Sequence, residues 1–259
     1  MTHAERQAAL EVIAREVRVC KGCRLHETRT NAVPGEGHPS TEVMFVGEGP
    51  GFNEDRLGRP FVGRAGDKLV ELLASIQWPR DEVFITNVVK CRPPDNRDPL
   101  PDEIAACRPF LERQLEVLDP ALVVTLGRFS MAAFMPGARI SEAHGMVRSV
   151  DPATGAADAS VYALYHPAAA LRSTAVAQTS LADMAGVPAA LERSRARRAE
   201  RAAARQSADV VPVAVGPSIE APTALPLTPP AQPQPGAATE PSEPIQPTEA
   251  AEQAGLFGL

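Results

Sequence analysis

The chain has 259 residues, room for one large domain or two small ones, with a formal net charge of −6 and four cysteines. No stretch approaches the roughly 18 consecutive apolar residues of a membrane span, and the N-terminus lacks the apolar core of a secretory signal. Both exclude an integral membrane protein and point to a soluble, intracellular one. The charge is unevenly spread: residues 206–259 carry six carboxylates and no Lys or Arg, so residues 1–205 are neutral and free to gather positive charge on one face.

Residues 4–19 set Leu10, Ile13 and Val17 at spacings of three and four, a helix face. Val43–Gly47 is a short apolar run that reads as a buried strand. Ala65–Gln77 aligns Leu69, Leu72, Leu73 and Ile76 as a second helix, and Val83–Val89 reads as a second strand. Pro101–Leu118 opens with Pro and Asp, as a first helical turn prefers, and aligns Ile104, Leu111, Leu115 and Leu118. Leu122–Gly127 is a third strand, Phe129–Phe134 a short helix and Val161–Tyr165 a fourth strand. The alternation predicts an α/β fold, three layers (α/β/α) around a central, mostly parallel four-stranded sheet. Ligands of such sheets sit beyond the C-terminal ends of the strands. Three polar clusters fall there: Gly47-Glu48-Gly49-Pro50-Gly51, Asn87, and Tyr165-His166-Pro167.

The composition shifts after about residue 182. Residues 1–192 form the expected globular domain, and residues 193–205 a basic helical extension carrying Arg195, Arg197, Arg198, Arg201 and Arg205. That extension reads either as a solvated helix end or as a phosphate-contacting helix. Residues 206–259 hold 11 of the 26 prolines among Ala, Glu, Gln, Thr and Ser, too little apolar surface to offset the entropy of ordering, and are expected to be disordered.

Cys20-Lys-Gly-Cys23 is a CxxC pair, and Cys91 and Cys107 lie far downstream. In a reducing compartment four thiols read as metal ligands rather than disulfides, and four is the number for a tetrahedral zinc or a four-iron cluster. Spacing does not separate zinc from iron–sulfur. A fully cysteine-ligated site leaves no open coordination position, so either group would be structural. The Gly-rich run Gly47–Gly66 lets backbone approach a ligand and then opens a helix, as a phosphate or nucleotide loop would. It is neither a Walker A loop nor GxGxxG.

The run instead resembles the first motif of the type-4 uracil-DNA glycosylases, GE(A/G)PGxxEDxxGxPFVGxAG. Other marks of that family follow in order: Phe84-Ile-Thr-Asn-Val-Val-Lys-Cys-Arg-Pro-Pro94 is similar to its TNVVKCRPP segment. Leu126-Gly127 is similar to the turn after its third strand, and Tyr165-His-Pro-Ala-Ala-Ala-Leu-Arg172 to its second catalytic motif. The resemblance covers roughly residues 5–190. It implies a DNA-repair enzyme that hydrolyses the N-glycosidic bond of deoxyuridine, with Cys20, Cys23, Cys91 and Cys107 as ligands of a structural [4Fe–4S] cluster. The alternative within the superfamily is a type-5-like glycosylase with a broader damage range, whose first motif is more apolar and lacks a counterpart of Glu48. The covalently capturing variant carries a His in a basic insertion after the second strand, and Cys91–Pro99 has none.

The resemblance also distributes roles. Glu48, Gly49, Pro50, Phe61, Asn87 and His166 form the uracil pocket, with Phe61 stacked on the base. Asn87 offers a donor and an acceptor to uracil O4 and N3–H, a pattern cytosine reverses. His166 stabilises the negative charge that develops on O2. Glu48 orients the water, with Glu54 the second carboxylate candidate. Leu171 and Arg172 wedge into the DNA and hold phosphate. His26, His38 and His144 are read as structural. At the C-terminus, Gln253-x-x-Leu256-Phe257 resembles the peptide by which bacterial repair proteins bind the sliding clamp, and the competing reading is a chance Leu-Phe. Two other classes remain open: a catalytically silent nucleic-acid-binding module on the same fold, and a zinc-stapled nucleotide or phosphate-ester enzyme. The Ala- and Arg-rich composition points to a GC-rich bacterial genome and a cytoplasmic, nucleoid-associated protein.

Overall fold

A computed structural model describes residues 1–150, 154–156 and 158–209. Helix α1 (His3–Val19) starts in a capping box, Thr2 Oγ1 accepting from the Glu5 amide and the Glu5 carboxylate accepting from the Thr2 amide at 2.7 Å. Strand β1 (Glu36–Gly37) precedes β2 (Val43–Gly47), the short helix α2 (Phe52–Leu57) and α3 (Arg64–Ser75). Then come β3 (Phe84–Asn87), α4 (Pro101–Leu118), β4 (Leu122–Leu126), α5 (Arg128–Phe134), α6 (Ile140–Ala143), β5 (Val147–Ser149) and β6 (Ser160–Leu164). Helices α7 (Pro167–Ala170), α8 (Thr174–Ala185) and α9 (Val187–Asp209) close the described chain.

The sheet order is β1-β3-β2-β4-β6-β5. Its inner four strands are mutually parallel, as expected, and two short antiparallel edge strands, β1 and β5, extend it to six. Alternation along the strands makes the two outer layers. Met44, Val46, Val123 and Val161 face a core with Leu10, Ile13, Val17, Leu111 and Leu115 of α1 and α4. Val43, Phe45, Val124 and Leu164 face the opposite core with Leu69, Leu72, Leu73 and Met184 of α3 and α8.

Element ends differ from expectation for local reasons. Strand β3 stops at Asn87, but the Val88 and Val89 amides still bond Gly47 O and Glu48 O at 2.9 and 3.1 Å, tying the two strand ends together. Helix α3 stops at Ser75, because Gln77 takes a positive φ of 60°. Helix α9 runs unbroken from Val187 to Asp209, so residues 193–205 are the middle of a helix rather than an appended one. Residues 210–259, including the clamp-like peptide and nearly all of the segment expected to be disordered, lie outside the described residues. Among the described residues no helix is long and apolar enough to cross a membrane.

Candidate active site

The C-terminal ends of β2, β3, β4 and β6 surround a cavity of about 610 Å³. Its walls include Glu48, Gly49, Pro50, Phe61, Asn87 and His166, so the structure brings the whole expected pocket set together, with Glu54 and Arg172 beside it. Leu171 stands exposed at the end of α7, next to Arg172.

Asn87 ends β3 and is 1% exposed, and its Oδ1 is buried without a hydrogen-bond partner. An unsatisfied buried carboxamide costs about 1–3 kcal/mol, a cost that a bound ligand removes. It stands against Gly47, where a Cβ would lie 2.4 Å from Asn87 Oδ1 and 2.6 Å from Phe61 Cζ. Only a glycine leaves both side chains where they are.

Phe61 has a φ of 50°, a strained conformation for a bulky residue and of the kind that gathers at functional sites. Three side chains that the sequence reading did not single out hold it. Arg80 donates to Phe61 O at 3.1 Å and Pro60 O at 2.5 Å, and is itself held by Glu36, which also takes a two-point ion pair from Arg59. Glu54, from α2, accepts at one oxygen from the amides of Val62 and Gly63, both at 2.9 Å. That oxygen fastens the loop carrying Phe61.

His166 follows β6 and caps α7. Its Nδ1 accepts from the Ala168 amide at 3.1 Å, so the neutral ring carries its proton on Nε2. Among the described residues Nε2 has no partner. Burial, reinforced by the Arg172 charge and opposed by Glu54, pushes the imidazole down to about 4. The ring is therefore a neutral donor at ordinary pH. Gly127, with φ of 91°, turns beneath it, and a Cβ there would come within 2.9 Å of His166 Cβ. Phe61 and His166 lie 5.9 Å apart, centroid to centroid.

Glu48, just after β2, is half-buried, and its carboxylate makes no hydrogen bond among the described residues. Burial pushes its pKa up first, the Asp98 charge adds to this, and the Arg128 guanidinium opposes it. His144 is occupied elsewhere, bonded to Asp183 at 2.9 Å and stacked on Tyr165 at 4.7 Å. His26 bonds Cys23 O and His38 the Ser40 amide, so all three take structural roles.

The four cysteines line a second, smaller pocket between the end of α1, the segment after β3, and α4. None is in a disulfide. Three sulfurs receive donors: Gly22 N–H to Cys20 at 3.3 Å, Arg29 to Cys91 at 2.9 Å, and Lys90 N–H to Cys107 at 3.2 Å. Donors aimed at sulfur suit thiolates, whereas burial pushes the free Cys107 thiol up to about 11. A positive centre shared by the sulfurs reconciles the two, so the donor set fits a metal group. No three His, Cys, Asp or Glu side chains among the described residues are arranged as ligands of one metal ion.

Five arginines of α9 are consumed within the fold. Arg195 pairs with Glu42, Arg198 with Asp119, and Arg201 and Arg205 with Asp158. Arg197 donates to Ser149 Oγ and to the carbonyls of Asp158 and Ala159. Glu42, Asp119 and Asp158 precede β2, β4 and β6, so α9 is stapled to the end of the sheet opposite the cavity. This favours a structural helix over a phosphate-contacting one. At the cavity end, Arg64 and Arg172 make no ion pair among the described residues.

Residues 34–185 match a family model described as Uracil DNA glycosylase superfamily. The chain is 50% identical over 169 residues to a protein of Sulfurisphaera tokodaii named Type-4 uracil-DNA glycosylase, covering 63% of this chain and 76% of that protein. Proteins of the same name from Archaeoglobus fulgidus and Saccharolobus solfataricus are 47% identical over 168 residues and 46% over 186. These matches cover 63% and 70% of this chain, and 83% and 86% of theirs.

Proposed function

From the premise that the chain belongs to the uracil-DNA glycosylase superfamily, we propose that it is a type-4 enzyme of DNA repair that hydrolyses the N-glycosidic bond of deoxyuridine and leaves an abasic site. One observation carries the assignment of the pocket: the buried, unpartnered carboxamide of Asn87 and the free Nε2–H of His166 line one cavity.

The base leaves the stack and enters between Phe61 and the strand ends. Asn87 donates to uracil O4 and accepts from N3–H. Cytosine would leave both groups opposed to like partners, which is where discrimination is strongest. As the bond from N1 to C1′ breaks, its electron pair leaves with uracil and charge gathers on O2. His166 Nε2–H donates a hydrogen bond to that oxygen as the charge develops. Glu48 orients a water whose oxygen bonds C1′ and whose proton passes through solvent to the departed uracil anion. Gly49 and Pro50 shape the wall between that water and the base. Leu171 fills the gap left in the stack and Arg172 takes a phosphate.

Cys20, Cys23, Cys91 and Cys107 would hold a [4Fe–4S] cluster, whose chemistry here is that of a staple joining α1 to the segment after β3 and to α4. Four thiols lining one pocket match the four thiolates such a cluster takes. A brown protein with iron and acid-labile sulfide supports the cluster, and a colourless zinc-loaded one overturns it.

Two further readings rest on sequence. Gln253, Leu256 and Phe257 form a peptide for the bacterial sliding clamp, their chain acting as tether. The protein works in the cytoplasm at the nucleoid, in keeping with the absence of a membrane-crossing helix among the described residues.

The test is incubation with an oligonucleotide holding one uracil, followed by chromatography of free base. Released uracil supports the enzyme. Binding without release by cluster-loaded protein would leave the catalytically silent module.

A further inference from the structure

Phe52 is the first residue of α2 and is 61% exposed. A single exposed apolar side chain needs no explanation, but this one is not alone. The Arg92 guanidinium lies over its ring, 5.3 Å from the centroid. Arg92 is aimed there by its Nε–H, which donates to Asn96 Oδ1 at 2.7 Å. Asn96 can receive it because the chain folds back through two consecutive residues of positive φ, Asp95 at 54° and Asn96 at 53°. A strained loop thus holds a cation over an exposed aromatic.

The pair stands at the mouth of the base pocket. Gly51, Pro93 and Asn96, its immediate neighbours, all line the cavity. The same end of the fold carries the unpaired Arg64 and Arg172, while Arg195, Arg197, Arg198, Arg201 and Arg205 of α9 at the far end are engaged. Polyanion approaching the pocket therefore passes this aromatic. The type-4 pattern leaves position 52 open, so the aromatic belongs to this chain, whereas Arg92 falls in the segment similar to TNVVKCRPP.

We propose that Phe52 and Arg92 form a stacking ledge for a nucleobase adjacent to the everted uracil on the same strand, and that the ledge favours single-stranded DNA. Everting one base strips its neighbour of a stacking partner. An exposed aromatic backed by a guanidinium replaces that partner without reading sequence, because every base has a π-face. A neighbour held in a duplex keeps its pairing and cannot splay onto the ring. The inference rests on the pocket receiving a DNA base, and its test includes an arm that needs no catalysis.

Full-length wild type, Phe52→Ala, Phe52→Leu and Phe52→Trp are compared on one uracil oligonucleotide, single-stranded and as a duplex. In Phe52→Ala, KM on the single strand rises roughly 5- to 150-fold, the range that base–aromatic stacking is worth. Its kcat and duplex KM stay within about twofold, and Trp but not Leu restores the wild-type value. In the second arm, 2-aminopurine flanks a stable abasic analogue in single-stranded DNA. Its emission is quenched on binding wild type and not on binding Phe52→Ala. Equal effects on both substrates, rescue by Leu, or identical 2-aminopurine emission in the two proteins would each overturn the proposal. Failure of uracil release in wild type would instead count against the glycosylase reading, with the fluorescence arm still deciding the ledge.

Discussion

The buried ammonium of Lys90 donates to the backbone carbonyl of Asn87 at 2.8 Å. It also donates to Thr86 Oγ1 at 2.6 Å and Gln114 Oε1 at 2.7 Å, while the Lys90 backbone amide bonds the Cys107 sulfur. One residue therefore joins the cysteine pocket to the strand end that presents Asn87. Replacing the ammonium with an apolar group leaves buried acceptors unsatisfied. Lys90→Met is predicted to cost about 1–3 kcal/mol in urea unfolding and to raise KM for uracil DNA. An unchanged unfolding midpoint would show that the link carries no energy.

Glu48 pairs a functional role with an energetic cost. Its raised pKa means that, just above the ordinary carboxylate range, the fold keeps a proton that the unfolded chain has lost. Stability from this group therefore falls as pH rises through that window, and at neutral pH the charged form is a net cost. Glu48→Gln is predicted to hold or raise the melting temperature at pH 7 while lowering kcat by roughly 10²- to 10⁴-fold. A melting temperature that drops together with activity would make Glu48 a structural residue.

His166 has the opposite sign. Its imidazole titrates at about 4 in the fold and at 6.5 without the fold's influence. Between those values the unfolded chain binds a proton that the fold refuses. Its contribution is complete above about 6.5 and is lost as pH falls toward 4, by roughly 3 kcal/mol in all. His166→Gln is predicted to flatten the stability profile across that window. Wild-type kcat is predicted to show no protonation step near 6.5. Such a step, absent from His166→Gln, would mean that the cationic ring does the chemistry.

The arginines divide by location. Arg172→Ala is predicted to weaken DNA binding and lower the slope of log affinity against log salt by about one. The double variant Arg201→Ala, Arg205→Ala is predicted to leave that slope unchanged, because both side chains are paired with Asp158 at the far end of the sheet. Fluorescence anisotropy across a salt series measures both, and a reversed ranking would put the DNA on α9.

These contrasts mark what was legible in the chain. Buried parallel strands are continuous apolar runs, so β2, β3, β4 and β6 could be read nearly to the residue, and the strand-end rule then located Glu48, Asn87 and His166. Edge strands β1 and β5 are two and three residues long, too short to hold a period. Helix α8 is rich in Ala, which fills a helix without marking a face. The Arg80–Glu36 clamp on Phe61, the Lys90 link and the pairing of the α9 arginines join residues far apart in sequence, and such contacts leave no local pattern. Glu54 was legible as a carboxylate near the site, but its commitment to two loop amides was not.

The most direct test of the account is alkaline cleavage of a labelled oligonucleotide with one uracil by wild type, Asn87→Ala and His166→Ala, each checked by thermal melting. The account predicts scission at the uracil by wild type and folded variants that retain little of it. Losing the donor to O2 should cost roughly 10²–10³ in rate. Folded variants that cleave as fast as wild type would contradict the pocket, and no cleavage by folded, cluster-loaded wild type would contradict the enzyme.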